Sequence, residues 1–185
     1  MTERLFFTDS DEANALLASD PMALLIGFVL DQQVTVQKAF SGPLVIRERI
    51  GSLDAATLAG ADLDAAFRQK PAVHRFPGAM ATRVSELTAV VRDQYGGDAG
   101  RIWSEAADAD DLRARLSALP GFGEMKVTSL AAVLAKRFGV KAAKGLTPSH
   151  PTLGDVTSPE TLHEYQAGKR AHKASLRAAA GSQRV

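Results

Sequence analysis

An all-α fold is what this sequence predicts, on three observations. Alanine is abundant and alternating runs of β-branched residues are scarce, so the period of two that marks a half-buried strand is missing. Apolar residues recur instead at helical spacing, most clearly in Met80, Val84, Leu87, Val90 and Val91. Polar capping residues stand ahead of several such runs, Asp20-Pro21 being the plainest case. With 185 residues, 45% of them hydrophobic and 23% charged, the chain suits one folded domain, or two small lobes sharing a core.

Taken in order, Leu5-Phe6-Phe7-Thr8 is a short extended apolar patch. Asp9-Ser10-Asp11-Glu12 then supplies the cap and acidic first turn of a helix that runs toward Ala18. Asp20-Pro21 opens a second helix, Met22 to Leu30, apolar nearly all round and so expected at the centre of the core. It ends in Asp31-Gln32-Gln33-Val34-Thr35-Val36. From Gln37 to Ile50 the helical pattern resumes, with an interruption expected at Gly42-Pro43. Ser52 to Leu58 reads as a capped short helix and Asp62 to Phe67 as another. The loop Lys70 to Gly78 holds two prolines, and His74 within it reads as a solvated loop residue. An amphipathic helix, Ala79 to Tyr95, is halted by Gly96-Gly97. Asp111 to Leu119 is a short amphipathic helix and Thr128 to Phe138 an apolar one. After the loop from Val140 to Asp155, a last helix over residues 159–180 turns basic through Lys169, Arg170, His172, Lys173 and Arg177. Gly181 to Val185 are expected to fray.

Twenty-two basic and 21 acidic residues leave a net charge of +1, so any anion-binding surface must come from local segregation of charge. Cysteine is absent, which excludes a disulfide framework, a thiolate zinc site and a cysteine-ligated iron–sulfur cluster. Side chains give no sign of a metal site, and no cofactor is expected. No run approaches the ~18–20 apolar residues of a membrane span, and Met1-Thr2-Glu3-Arg4 lacks a signal peptide's cationic start. The expectation is a soluble cytoplasmic protein, with nothing that demands more than a monomer.

The chain is organised around Leu119-Pro120-Gly121-Phe122-Gly123-Glu124-Met125-Lys126-Val127, which joins the two helices of residues 111–138. Two glycines one residue apart permit a sharp turn and leave amide N–H groups exposed where the second helix begins. Those groups and the helix dipole favour an anion, and Lys126 adds a formal charge. The unit has the residue pattern of a helix-hairpin-helix DNA-binding motif. An ordinary helix–turn–helix corner with a glycine cap is the alternative reading.

Leu-Pro-Gly-Phe-Gly, with leucines on both flanking helices, resembles the hairpin of the base-excision DNA glycosylase superfamily that includes endonuclease III and the alkyladenine glycosylases. In that superfamily the end of the apolar helix looks like Leu-x-x-Gln. Leu30-Asp31-Gln32-Gln33 matches this spacing, with Gln33 as the counterpart. The order of elements is similar too, so the resemblance covers roughly residues 22–139 within a single domain of residues 1–185.

The resemblance implies a two-lobed helical fold with Gln33, Gly121, Phe122, Gly123 and Lys126 at duplex DNA and a nucleotide flipped into a cleft. Phe28, Trp103 and Phe122 are aromatic rings able to stack on a base, core packing being the default for the first two. Superfamily catalysis depends on an aspartate beyond the hairpin's second helix, whose carboxylate stabilises an oxocarbenium-like sugar or helps activate the nucleophile. When Ser149-His150 is set on the family's Asp-Thr-His run, Pro148 or Ser149 falls at that position. Asp155 is the carboxylate of this loop and hence the candidate, the alternative being that it shapes a turn or caps the next helix. His150 is a further candidate for contacting DNA or orienting a water. Family members that also cut the backbone carry a lysine where this chain has Met125, and one helical step turns Lys126 away by about 100°. The expected activity is therefore that of a monofunctional glycosylase hydrolysing the N-glycosidic bond of a damaged base, an alkylated one among the candidates, at the nucleoid. Two rivals remain: a catalytically silent relative that binds distorted or branched DNA, and a helical protein-interaction domain.

Overall fold

The computed structural model, which describes residues 2–182, is helical, with no strand among the described residues. Side-chain caps set most of the helix starts. Ser10 caps α1 (Asp11–Ser19), accepting from Ala13 N. Asp20 caps α2 (Pro21–Leu30), accepting from Met22 N and Ala23 N. Thr35, Asp54 and Asp62 do the same for α3 (Val36–Ile50), α4 (Ala55–Gly60) and α5 (Leu63–Arg68). Each such cap contributes about 1 kcal/mol.

The sixth helix, α6 (Pro77–Tyr95), starts two residues before the predicted point, with proline at its first position. It stops at Gly96 and Gly97, whose φ values of 61° and 84° suit a residue without Cβ. A short turn of helix, α7 (Arg101–Ser104), carries no periodicity that marks it in the sequence. Asp108 caps α8 (Ala109–Ser117), and the hairpin leads into α9 (Glu124–Arg137). The following loop contains two 3-10 turns, Lys141–Leu146 and Leu153–Asp155, and ends at α10 (Pro159–Ser182). Gly181 and Ser182 belong to that helix, while Gln183–Val185 lie outside the described residues.

As predicted, α2 occupies the centre of the core: every residue from Met22 to Leu30 is buried, and α1, α3 and α6 pack around it. The approach of α3 is close. A Cβ on Gly27 would lie 2.4 Å from the Phe40 ring, and one on Gly42 would lie 2.4 Å from Leu30 Cδ1. Phe40 in turn meets Phe7 and Phe28 edge-on, with centroids 4.9 and 5.2 Å away. This packing corrects the expected interruption at Gly42-Pro43, because α3 runs through Pro43 unbroken. An interior proline costs about 3 kcal/mol. Burial of Ala39, Phe40, Gly42, Pro43 and Ile46 against α2 and its neighbours offsets that cost.

Around this centre, α4 and α5 cover α6, and the N-terminal segment is strapped down by Asn14. Asn14 Oδ1 accepts from Phe7 N, Thr8 N and Thr8 Oγ1, and Nδ2 donates to Thr8 O, so Leu5 and Phe7 reach the core without orphaned amides. On the other side, α8 and both 3-10 turns enclose α9. The second turn lies so close that a Cβ on Gly154 would stand 2.6 Å from Ala132 O. The buried apolar residues form one cluster from Leu5 to Leu162. Only the start of α10 joins it, and from Ala167 onward that helix is exposed. No single helix among the described residues is long and apolar enough to cross a membrane.

Candidate functional site

The site begins where α2 ends. Its last carbonyls lack intrahelical partners, and three side chains take them up, His74 and Lys126 from distant parts of the chain and Gln32 from the next turn. His74 Nε2 lies 3.1 Å from both Leu30 O and Gln32 O, and its Nδ1 accepts from Phe76 N at 3.0 Å. Carbonyls only accept, so the ring is neutral with its proton on Nε2. Burial is the main cause that pushes its pKa below the ordinary histidine value, with Lys38 and Lys126 adding to the effect and the two carbonyls opposing it. His74 is thus a buried capping residue, 2% exposed, and not the solvated loop side chain the sequence predicted. Two prolines flanking a basic loop concealed it, since the carbonyls it serves are over forty residues away.

Lys126 is another of the three. Its Nζ donates to Val29 O at 3.1 Å, and Gln32 Nε2 donates to the same carbonyl at 3.2 Å. The Lys126 side chain therefore turns inward from the hairpin to the end of α2, and does not stand free beside the hairpin amides as predicted. Burial pushes its amine below the usual lysine range, while the charge of Asp31 opposes that shift and Arg83 adds to it. The lysine joins two stretches of sequence, residues 29–33 and 119–127, into one site.

Beyond the last turn of α2 the backbone is strained. Gln33 has φ 56° and is the one non-glycine residue in the left-handed region among the described residues. Its side chain is exposed. Strain of this kind costs about 1–3 kcal/mol and concentrates at functional positions. Beside it, Asp31 is half-buried and its carboxylate accepts no hydrogen bond among the described residues. Burial pushes its pKa up from the ordinary aspartate value, against the pull of Lys169 and Lys126. The start of α10 closes this side. Tyr165 lies under Lys169, whose Nζ is 5.4 Å from the ring centroid, and Gln166 exchanges amide hydrogen bonds of 2.7 and 3.0 Å with Gln37. Burial together with the Asp31 charge pushes the Tyr165 hydroxyl up to about 12.

The hairpin forms the opposite rim. Gly121 has φ 81°, a value that requires glycine. Gly123 is different: its φ of −82° and ψ of 176° are open to any residue, and a Cβ there would meet nothing within 4 Å. Neither backbone conformation nor packing demands glycine at that position. No side chain caps α9, and the amides of Gly123, Glu124, Met125 and Lys126 find no partner among the described residues. The result is an open cradle of N–H donors at the positive end of a helix, suited to an anion. Glu124, which would oppose one, is ion-paired with Arg113. Met125 projects outward at 84% exposure, while Phe122 is 6% exposed and packs in the core. The base-stacking role considered for Phe122 is therefore not available to its ring; Phe28 is buried and Trp103 packs against the core.

Asp155 stands apart from these groups. Its carboxylate accepts from Thr152 N at 2.8 Å, from Thr152 Oγ1 at 3.1 Å and from Lys136 Nζ at 2.6 Å, closing a capping box on the second 3-10 turn. These bonds hold it ionised below the ordinary aspartate range despite its burial. Its turn rests on Ala132 and Lys136, which at 1.5 Å per residue lie about 12–18 Å along α9 from the hairpin. The turn-shaping alternative describes its contacts, and His150 is an exposed residue of the same loop. Comparison of the chain with protein-family models, with curated proteins and with solved structures finds no match to any of them.

Proposed function

We propose that this protein is a monofunctional DNA glycosylase of the two-lobed helix-hairpin-helix kind, which hydrolyses the N-glycosidic bond of a damaged base flipped from a duplex. The observation that carries the reading is the meeting of two separated stretches: Lys126 of the hairpin unit donates to Val29 O, four residues before the strained and exposed Gln33. A hairpin corner needs no such partner, whereas a DNA-repair site needs a phosphate grip and a duplex probe together. In this reading Gly121 shapes the turn, Gly123 leaves its amide cradle open to a phosphate, and Gln33 offers a donor and an acceptor to the gap left by the extruded nucleotide. Phosphate attraction requires only local positive charge, which Lys169, Arg170, Lys173 and Arg177 supply on a helix face without a carboxylate from Ala167 to Ser182.

Hydrolysis by water, without a Schiff base, follows from Met125 at the position where backbone-cutting relatives carry lysine. The second reading is a catalytically silent protein that binds distorted DNA, and it is favoured by the engagement of the Asp155 carboxylate in a capping box. Single-turnover base release from duplexes bearing alkylated, deaminated or oxidised bases separates the two. Release from any member of the panel supports the enzyme. Salt-dependent binding without release supports the silent protein, and absence of binding removes both.

A further inference from the structure

We infer that Asp31 supplies the carboxylate at the reacting sugar, an assignment that rests on the glycosylase reading above. Asp31 sits two residues before Gln33, on the end of α2 that Lys126 ties to the hairpin. The aspartates Asp20, Asp54, Asp62, Asp108 and Asp155 all serve as caps or turn partners. Asp31 ends α2 through its backbone N–H, which donates to Phe28 O, but its half-buried carboxylate accepts no hydrogen bond among the described residues. Lys126 and Lys169 attract its charge, but a half-buried carboxylate left without a hydrogen-bond donor is unfavourable in a fold, so its place beside a strained, exposed glutamine points to a use outside the fold.

The charged groups that face it fit that use. Lys126 reaches in from α9 and Lys169 and Tyr165 from α10, with Arg83 of α6 acting on Lys126. Lys169, on the exposed part of α10, draws a flanking phosphate, Lys126 is held on Val29 O, and the carboxylate is left for the cation that forms at the sugar. As the C1′–N bond breaks, its electron pair leaves with the base and positive charge develops on the sugar, next to the Asp31 carboxylate. Water then adds through its oxygen to C1′, and the proton it loses passes to Asp31 and on to solvent. Burial holds the Asp31 carboxyl above the ordinary aspartate range, which makes it a better proton acceptor than a surface aspartate.

The test is single-turnover base release from the same lesion panel by the wild type, Asp31→Asn and Asp31→Glu, alongside duplex affinity and thermal melting. The expected result is a loss of release of about 100-fold or more in Asp31→Asn. Affinity and melting temperature are expected to stay level or rise in that variant. Asp31→Glu is expected to recover part of the rate, and the wild-type rate to fall with acidification along a limb above the ordinary aspartate pKa. Equal release by the wild type and Asp31→Asn overturns the assignment and leaves the glycosylase reading intact. A wild type that binds duplex but releases no base overturns both.

Discussion

Replacing each hairpin glycine by alanine separates what the fold needs from what a ligand needs. Gly121 lies at φ 81°, and an added Cβ would come 3.1 Å from Arg83 Cδ. Left-handed backbone costs a residue with a Cβ about 1–2 kcal/mol, and for a chain of this size each kcal/mol moves the melting temperature by roughly 2–4 °C. Gly121→Ala is therefore expected to melt about 2–8 °C lower. Gly123 has an ordinary φ of −82° and open space where the Cβ would go. There the loss of a tolerable helix cap, about 0.5 kcal/mol, is offset by the reduced freedom of the unfolded chain, about 0.4–1 kcal/mol. Gly123→Ala should melt within ~2 °C of the wild type. In the cradle reading its new methyl enters the open space at the start of α9 that a bound phosphate would need. A hydrogen bond to a charged acceptor contributes about 1.5–3 kcal/mol, so blocking one should weaken duplex binding about 10–100-fold and flatten its salt dependence. Thermal melting and fluorescence anisotropy against salt concentration measure the two effects. A Gly123→Ala variant that binds like the wild type refutes the cradle, and one that melts as low as Gly121→Ala refutes the reasoning about space.

Three further outcomes follow from the same geometry. Asp31→Asn should stabilise the protein at neutral pH. The folded-state pKa of Asp31 is raised, so its ionisation opposes folding above the unfolded value, and the gain should vanish in urea titrations below pH 3.8. His74 behaves in the opposite sense. Its folded pKa is lowered from 6.5, so stability should fall as pH drops below that value, and His74→Ala should abolish the slope while destabilising the chain by about 2–4 kcal/mol through orphaned carbonyls and a cavity. Gly154→Ala drives a methyl to 2.6 Å from a backbone carbonyl that cannot swing aside, and a loss of about 3 kcal/mol in chemical denaturation is expected.

Much of the fold is legible in the sequence because it is written locally. Ser10, Asp20 and Asp62 mark helix starts within two or three residues of the side chains they serve, and Gly96-Gly97 marks a stop. Pro43 misleads because the local rule is correct but the packing of α3 on α2 outweighs it. Gln33 and the two glycines stand out by spacing alone. The site around Asp31 does not, since its character depends on Lys126, Tyr165 and Lys169 arriving from helices far along the chain. A carboxylate's burial and its want of a hydrogen-bond donor are properties of the assembled molecule, and a run of letters such as Leu30-Asp31-Gln32-Gln33 contains neither.

The exposed half of α10 has a consequence for how the molecule reports on its ligand. From Ala167 to Ser182 the helix is exposed, and a segment of that length without a packed face is only marginally helical in water. Lys169, Arg170, Lys173 and Arg177 repel one another along it, and residues 167–182 hold no carboxylate. A polyanion removes that repulsion, so in the proposed function winding of this segment and engagement of a duplex reinforce each other. Far-ultraviolet ellipticity should deepen when DNA is added at low salt, and the enthalpy of association should include the heat of forming the last turns. In that reading the exposed half of α10 is a built-in gauge of occupancy, read without any label.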